Sequence, residues 1–251
     1  MEIQSSWIET PGEGAQMSLH VTEPKESGRY PGILLFHHAP GVNPDMQKYA
    51  EKIAAEGFVC AVPDMYYRWG SRMVFTPSPG NSAIAQAFEY VGKITDYGLA
   101  QDFRASLNFL KSLNSVLPDR IGVVGYCIGG RHSFLAGCLN SDVKATVVCY
   151  GSDQIETDPT LRRPVSPIDM IPWLKGSMLS LSGDQDQNPS PNMIEQVRDR
   201  MLAEGKDYEY QIFPGAGHAF FSEGNKSMYY EPAASAAWPV KLEYLKRKLQ
   251  D

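Results

Sequence analysis

The chain has 251 residues, of which 43% are hydrophobic, and a formal net charge of -6. This size and apolar content allow one large core, so we expect a single domain over residues 1–251. The acidic balance, with no tract rich in Lys or Arg, argues against nucleic acid or an anionic membrane as a partner. The N-terminal residues lack a cationic segment followed by an apolar one, and no stretch has the length of a membrane span. We therefore expect a cytoplasmic protein.

Short apolar runs of strand length alternate with stretches of helical pattern along the chain. The predicted strands are, in order, GILLFHH, FVCAVPD, IGVVGYC, ATVVCYG, SMLSLSGD and YEYQIFPGAGH, and the predicted helices cover 44–56, 98–114, 129–139, 189–204 and 232–249. Continuous apolarity indicates strands that are covered on both faces. The first 30 residues predict an antiparallel hairpin at the sheet edge. The fold class is α/β, with a mostly parallel sheet and helices on both faces.

Two irregular insertions, near 64–82 and 152–172, follow the carboxyl ends of predicted strands. Ligands bind at this edge of an open α/β sheet. The first insertion is too aromatic for a plain linker, so we expect it to line a pocket; the alternative is a surface loop folded on its own aromatic side chains. The aromatic residues in question are Tyr66, Tyr67, Trp69 and Phe75.

Three of the four cysteines have a structural interpretation. Cys60 and Cys149 lie inside β-branched apolar runs, and Cys138 lies on a predicted helix. No CxxC pair or paired Cys/His spacing is present, so we expect reduced, buried thiols and no metal site or cofactor.

The fourth cysteine occupies a different setting, in Gly-Tyr-Cys-Ile-Gly at 125–129. Here a strand turns sharply into a helix, and a Cβ at either glycine would collide with the neighbouring strand or helix. The Cys127 side chain is then presented at the tip of the turn, at a helix N-terminus that stabilises a thiolate. This is the geometry of a nucleophile elbow with sulfur in place of a hydroxyl.

An elbow nucleophile needs a base and an acid that orients the base, in the chain order nucleophile, acid, histidine. His218 is the only histidine beyond position 132, and it follows the last predicted strand. The acid should come from the loop GDQDQNP, where Asp184 and Asp186 compete. We favour Asp186, and expect the other aspartate to cap the turn or the next helix.

These segments resemble the dienelactone hydrolase family. GYCIGG is similar to its cysteine elbow, GDQDQNP to its aspartate loop and GAGHAFF to its histidine loop, and the resemblance runs from about residue 31 to 222. It implies an α/β-hydrolase fold in which Cys127 attacks a carbonyl, His218 acts as base and Asp186 orients the histidine. The backbone N–H groups of Ile128 and Ala39 would hold the oxyanion.

The chain departs from the family pattern at two places. Where the best-studied members carry a glutamate that activates the thiol, this sequence has His38, in FHHAPGVN. A histidine could accept the thiol proton or hold a thiolate as an imidazolium; alternatively, His38 or His37 simply packs at the strand end. The family's carboxylate-binding arginines are also absent from HAFFSEGN and from the helical stretch SAIAQAFEY; Arg68, Arg72 or Arg131 could substitute.

The sequence therefore predicts a hydrolase of lactones or small activated esters that works through a cysteinyl acyl-enzyme. Its partner is a small-molecule substrate, and the chain is a monomer or a homodimer. The alternatives are a broader carboxylesterase or thioesterase whose larger acyl pocket is built by the insertion at 64–82, and a non-catalytic ligand-binding protein of the same fold.

Overall fold

A computed structural model describes residues 1–76, 79–155 and 160–250 of the chain. The N-terminal hairpin consists of β1 (Ile3–Pro11) and β2 (Gln16–Pro24), which pair antiparallel at the sheet edge. The predicted edge hairpin is thus confirmed. Parts of the two predicted insertions, residues 77–78 and 156–159, lie outside the described residues.

The remaining strands form a parallel sheet next to this hairpin. They are β3 (Tyr30–Phe36), β4 (Val59–Pro63), β5 (Val116–Tyr126), β6 (Val143–Cys149), β7 (Ser177–Gly183) and β8 (Tyr208–Phe213). The strand order is β1-β2-β4-β3-β5-β6-β7-β8, and β2 pairs antiparallel with β4. All later neighbours are parallel, so the carboxyl ends of β3 to β8 meet at one edge of the sheet.

Helices connect the strands at the positions that the apolar pattern indicated. They are α1 (Pro44–Ala54), α2 (Ala83–Val91), α3 (Asp96–Ser112), α4 (Ile128–Leu139), α5 (Pro191–Ala203) and α6 (Glu231–Leu249), with a 3-10 helix at Pro167–Trp173. Four begin after a side-chain cap, including Asn43 before α1 and Ser82 before α2. The 3-10 helix lies in the second insertion and was not predicted.

The two faces of the sheet carry separate apolar cores. On one face α1 and α6 contribute residues such as Tyr49 and Leu245; on the other, α3 and α4 contribute Phe103 and Leu135. Strands β6 and β7 are buried almost throughout because both faces are covered, which explains their continuous apolar runs. In the described ranges, no helix is long and apolar enough to cross a membrane.

Candidate active site

Cys127 stands at a strained turn between β5 and α4. Its backbone has φ 57° and ψ -123°, a left-handed conformation that costs a non-glycine residue free energy. A Cβ on Gly125 would lie 1.8 Å from the Gly129 carbonyl oxygen, and one on Gly129 would lie 2.3 Å from the carbonyl oxygen of Phe36. Both glycines are therefore required by the close approach of helix and strand, as predicted for a nucleophile elbow.

Hydrogen bonds fix the turn on both sides of Cys127. Its N–H donates to the Cys149 carbonyl at 3.1 Å, and its own carbonyl accepts from the N–H groups of Gly130 at 2.8 Å and Ser152 at 3.1 Å. The Ser152 hydroxyl lies 3.7 Å from the Cys127 sulfur. Cys127 as a residue is partly exposed, whereas the other three cysteines are buried, as expected, and all four are free.

His218 and Asp186 meet at the same edge of the sheet. His218 Nδ1 lies 2.9 Å from Asp186 Oδ2, and the carboxylate is 2% exposed. The other oxygen of Asp186 accepts the Asn188 N–H at 2.9 Å. Since Nδ1 faces Asp186, Nε2 is the ring nitrogen left for an interaction with the Cys127 sulfur, which shifts the pKa values of both groups.

Asp184, the competing aspartate, has a different role. It is exposed, and its Oδ1 accepts the Gly215 N–H at 2.8 Å and the Gln185 side-chain amide at 3.1 Å. These contacts join the loop after β7 to the loop after β8, which carries His218. Of the two candidates, the structure brings only Asp186 to the histidine.

The contacts favour a charged pair between sulfur and imidazole. Burial raises the pKa of the Cys127 thiol, but hydrogen bonding and charge from His218, with donors from Ser152 and the Ile128 N–H, bring the pKa below its ordinary value. Burial lowers the pKa of His218, but the hydrogen bonds with Asp186 and Cys127 raise it to about 10. At neutral pH the arrangement therefore favours a thiolate beside an imidazolium.

Two further histidines follow β3. His37 is buried between the His38 carbonyl, 2.7 Å from its Nδ1, and the Met65 N–H, which donates to its Nε2 at 3.1 Å; burial lowers its pKa to about 4. His37 therefore packs at the strand end, as one of our alternatives held.

His38 instead lines the cavity that contains Cys127. Burial lowers its pKa, although a hydrogen bond with Asn43 opposes this, and its Nε2 has no partner among the described residues. An imidazolium at His38, one of the alternatives considered from the sequence, is thus disfavoured because burial of the ring lowers its pKa. The histidine with a raised pKa that interacts with the sulfur is His218.

Of the two predicted oxyanion donors, Ile128 directly follows Cys127 at the start of α4, and its N–H lowers the pKa of the Cys127 thiol. Ala39 lines the cavity in the loop after β3, and its carbonyl accepts the Tyr66 hydroxyl at 2.7 Å, which fixes this loop.

Backbone strain is concentrated around these residues. Besides Cys127, Tyr150 and Ala219 have positive φ values of 36° and 60°. Tyr150 follows β6 and its ring lies 5.3 Å from the His218 ring, and Ala219 directly follows His218. Strained non-glycine residues persist where the surrounding structure over-determines them, which is common at functional sites.

The candidate residues open into a cavity of about 900 Å³. Of the first insertion, Phe75 lines it as predicted, whereas Tyr66 and Tyr67 are buried beneath. The second insertion contributes Ser152. The sequence analysis did not single out several other lining residues. Ile84 and Phe88 lie on α2 away from the catalytic motifs, Gln187 and Asn188 belong to the GDQDQNP loop itself, and Asn225 and Lys226 follow the histidine loop.

The three arginines that could replace the family's carboxylate-binding residues are paired elsewhere. Arg68 bonds to Asp102 and Glu13, Arg72 to Glu9, and Arg131 to both oxygens of Asp96. None of these arginines lines the described cavity wall. The expected substitution by Arg68, Arg72 or Arg131 therefore has no support in the geometry, because each guanidinium is held by a carboxylate outside the cavity.

Comparison with known proteins agrees with this geometry. The model of the dienelactone hydrolase family matches residues 17–249. The chain belongs to the dienelactone hydrolase family. The resemblance inferred from the motifs is thereby confirmed, together with the class of enzyme, a hydrolase.

Among its relatives is a "Putative carboxymethylenebutenolidase" of Methylorubrum extorquens, 29% identical over 227 residues, which covers 90% of this chain and 75% of the relative. A protein of the same description from Escherichia coli is 27% identical over 246 residues, covering 98% of this chain and 88% of the relative. The crystal structure of a "Putative Dienelactone Hydrolase" from Klebsiella pneumoniae superposes with a TM-score of 0.87 at 24% identity, over 98% of this chain and 99% of that one. The α/β-hydrolase fold expected from the sequence is thereby confirmed.

Proposed function

We propose that this protein hydrolyses lactones or small activated esters through a cysteinyl acyl-enzyme, with Cys127, His218 and Asp186 as the triad. The observation that carries the proposal is the connected series from the buried Asp186 through His218 to the Cys127 sulfur, which opens into a cavity at a strained elbow. The names of relatives in Methylorubrum and Escherichia coli, which describe a carboxymethylenebutenolidase, agree with this reaction class.

In the first half-reaction the Cys127 thiolate attacks the carbonyl carbon of the substrate. The negative charge that develops on the carbonyl oxygen is held by the N–H groups of Ile128 and Ala39. When the tetrahedral intermediate collapses, the carbon–oxygen bond to the leaving alcohol breaks, and His218 Nε2 gives its proton to that oxygen. A lactone opens in this step, and its hydroxyl stays attached to the acyl group.

In the second half-reaction the neutral His218 takes a proton from water, and the resulting hydroxide attacks the thioester. Collapse of the second intermediate releases the acid and restores the thiolate beside the imidazolium. Asp186 stabilises this positive charge throughout and fixes the ring so that Nε2 faces the sulfur. Ser152 donates a weak hydrogen bond to the resting thiolate.

His38 receives a secondary role in this proposal. Asn43 interacts with its ring and opposes the lowering of its pKa, and the buried Nε2 has no hydrogen-bond partner among the described residues. With its lowered pKa the ring is neutral, so it serves as a hydrogen-bond partner for the substrate or as an acceptor for the thiol proton rather than as a counter-ion.

The test is acylation of the purified protein by p-nitrophenyl acetate. We expect a burst of p-nitrophenol equal to the enzyme concentration and one acetyl group on a Cys127 peptide by mass spectrometry. Cys127→Ala should show neither, while Cys138→Ala, which changes a buried thiol outside the site, should retain both. A protein that releases no burst and carries no adduct would be a ligand-binding member of the fold. If Cys127→Ala were as active as the unaltered protein, the assignment of Cys127 as the nucleophile would be refuted.

A further inference from the structure

The wall of the cavity is chemically divided, and the strand order determines the division. The segment after β4 contributes mostly apolar side chains, those of Val74, Phe75, Ala83, Ile84 and Phe88, together with the small hydroxyls of Thr76 and Ser82. The loops after β7 and β8 contribute mostly polar ones, those of Gln185, Asp186, Gln187, Asn188, His218, Ser222, Asn225, Lys226 and Ser227, together with the apolar Ala219 and Met228. Since β5, which carries Cys127, lies between β4 on one side and β7 and β8 on the other, the nucleophile separates an apolar side from a polar side.

The apolar side is a built surface. The Phe75 ring packs edge-on against Tyr66, with ring centres 5.5 Å apart, and at a tilt against Tyr90 of α2, with ring centres 5.2 Å apart. The Phe75 N–H donates to the Pro40 carbonyl at 3.0 Å, which ties the segment to the loop that holds Ala39. These contacts hold one aromatic ring in the cavity wall.

Helix α2 completes this side. The Ser82 side chain caps it by accepting the Ala85 N–H at 3.0 Å. Its Ile84 and Phe88 lie one turn apart and both line the cavity, yet Phe88 is 56% exposed. A phenyl ring left to water on the wall of a reactive cavity marks a site for an apolar ligand group.

The reaction orients the substrate across this division. The leaving oxygen must receive a proton from His218, which follows β8 on the polar side. The acyl substituent lies on the other side of the carbonyl carbon from the leaving oxygen, and the segment after β4 is the part of the described wall across Cys127 from the loops after β7 and β8. We propose that Phe75, Ile84 and Phe88 form an acyl site that selects esters and lactones with an apolar chain or ring on the acyl side. This inference rests on the proposed function.

A series of p-nitrophenyl esters from acetate to hexanoate tests the acyl site, because the leaving group stays constant. We expect kcat/KM to rise at least tenfold from acetate to hexanoate, since each buried methylene favours binding and the site is partly open to water. Phe88→Ala should reduce the hexanoate-to-acetate ratio of kcat/KM at least threefold. Tyr97→Ala is the matched control, because Tyr97 is a 70% exposed aromatic residue on α3 that does not line the cavity.

Each result decides between the two proposals. Formation of the Cys127 adduct with rates that do not rise with chain length overturns the acyl site and leaves the proposed function standing. If kcat/KM rises with chain length as steeply in Phe88→Ala and Ile84→Ala as in the unaltered protein, the placement of the acyl site on α2 is also overturned. If no ester acylates Cys127, the proposed function itself fails. The acyl site is supported if kcat/KM rises from acetate to hexanoate in the unaltered protein and in Tyr97→Ala, but not in Phe88→Ala.

Discussion

The hydrogen bond between Asp186 and His218 offers the most direct test of the triad. Asp186→Asn removes the negative charge while keeping the size of the side chain. The carboxylate is 2% exposed and 2.9 Å from the imidazole, so solvent screens the interaction little. A hydrogen bond to a charged group contributes about 1.5–3 kcal/mol, which corresponds to about 10- to 150-fold in kcat/KM.

The same change should move the ionisation of the nucleophile. Without Asp186 the pKa of His218 falls from about 10, and the imidazolium that stabilises the thiolate is less favoured. The pKa of Cys127 therefore rises, and less thiolate is present at low pH. The rate of alkylation of Cys127 by iodoacetamide, measured between pH 5 and about 9, reports the fraction of thiolate. In Asp186→Asn the midpoint of this rate should lie at a higher pH than in the unaltered protein.

Asp184→Asn is the matched control, because Asp184 lies two residues away in the same loop and is exposed. It should keep the alkylation profile and lose less than about threefold in kcat/KM. If Asp184→Asn lost as much activity as Asp186→Asn, or if Asp186→Asn kept both rate and profile, the assignment of the orienting acid would be refuted.

Two other predictions concern buried groups. His38→Ala should lower kcat/KM but leave the alkylation profile of Cys127 unchanged, because the positive charge beside the sulfur comes from His218; a shift of that profile would restore His38 as the thiol's activator. Lys241 is fully buried and bonds to the Tyr126 hydroxyl, and burial lowers its pKa from 10.5 to about 7. Between pH 7 and 10.5 Lys241 carries its proton in the unfolded chain but not in the folded one, so the unfolded state is favoured less as the pH rises. Lys241 should therefore make the free energy of unfolding rise by about 2 kcal/mol from pH 7 to 9. The free energy of unfolding of Lys241→Met, measured in urea, should lack this rise. If it rose with pH as steeply as in the unaltered protein, the lowered pKa of Lys241 would be contradicted.

The fold and the elements that carry the candidate triad could be predicted because each leaves a local signal. Strands covered on both faces read as continuous apolar runs, and the glycines around Cys127 are required because a Cβ on Gly125 or Gly129 would lie 1.8 Å or 2.3 Å from a backbone carbonyl oxygen. The sequence favours Asp186 over Asp184 because Asp186 lies three residues past Gly183, as in a familiar G-x-x-D loop, and the geometry around His218 agrees with this choice.

The composition of the cavity wall could not be predicted in the same way. Ile84 and Phe88 line it because α2 is placed there by packing of Tyr90 against Phe75, a contact that no local pattern encodes. The protonation state of His38 depends on burial, which is set by the packing around the whole loop. Ser152 meets the sulfur only because β6 lies next to β5 in the sheet.

The distribution of charge around the cavity bears on what the substrate can be. Arg68, Arg72 and Arg131 are each neutralised by a carboxylate away from the cavity. Lys226, the lysine on the described wall, is exposed, and the same wall carries the carboxylate of Asp45. An ion pair between an exposed lysine and an anionic group of the substrate would contribute about 0–1 kcal/mol. Burial of a few methylene groups against Phe75 and Phe88 contributes more, at about 0.8 kcal/mol each. Discrimination among esters by this protein should therefore depend on the apolar group of the substrate more than on an anionic one.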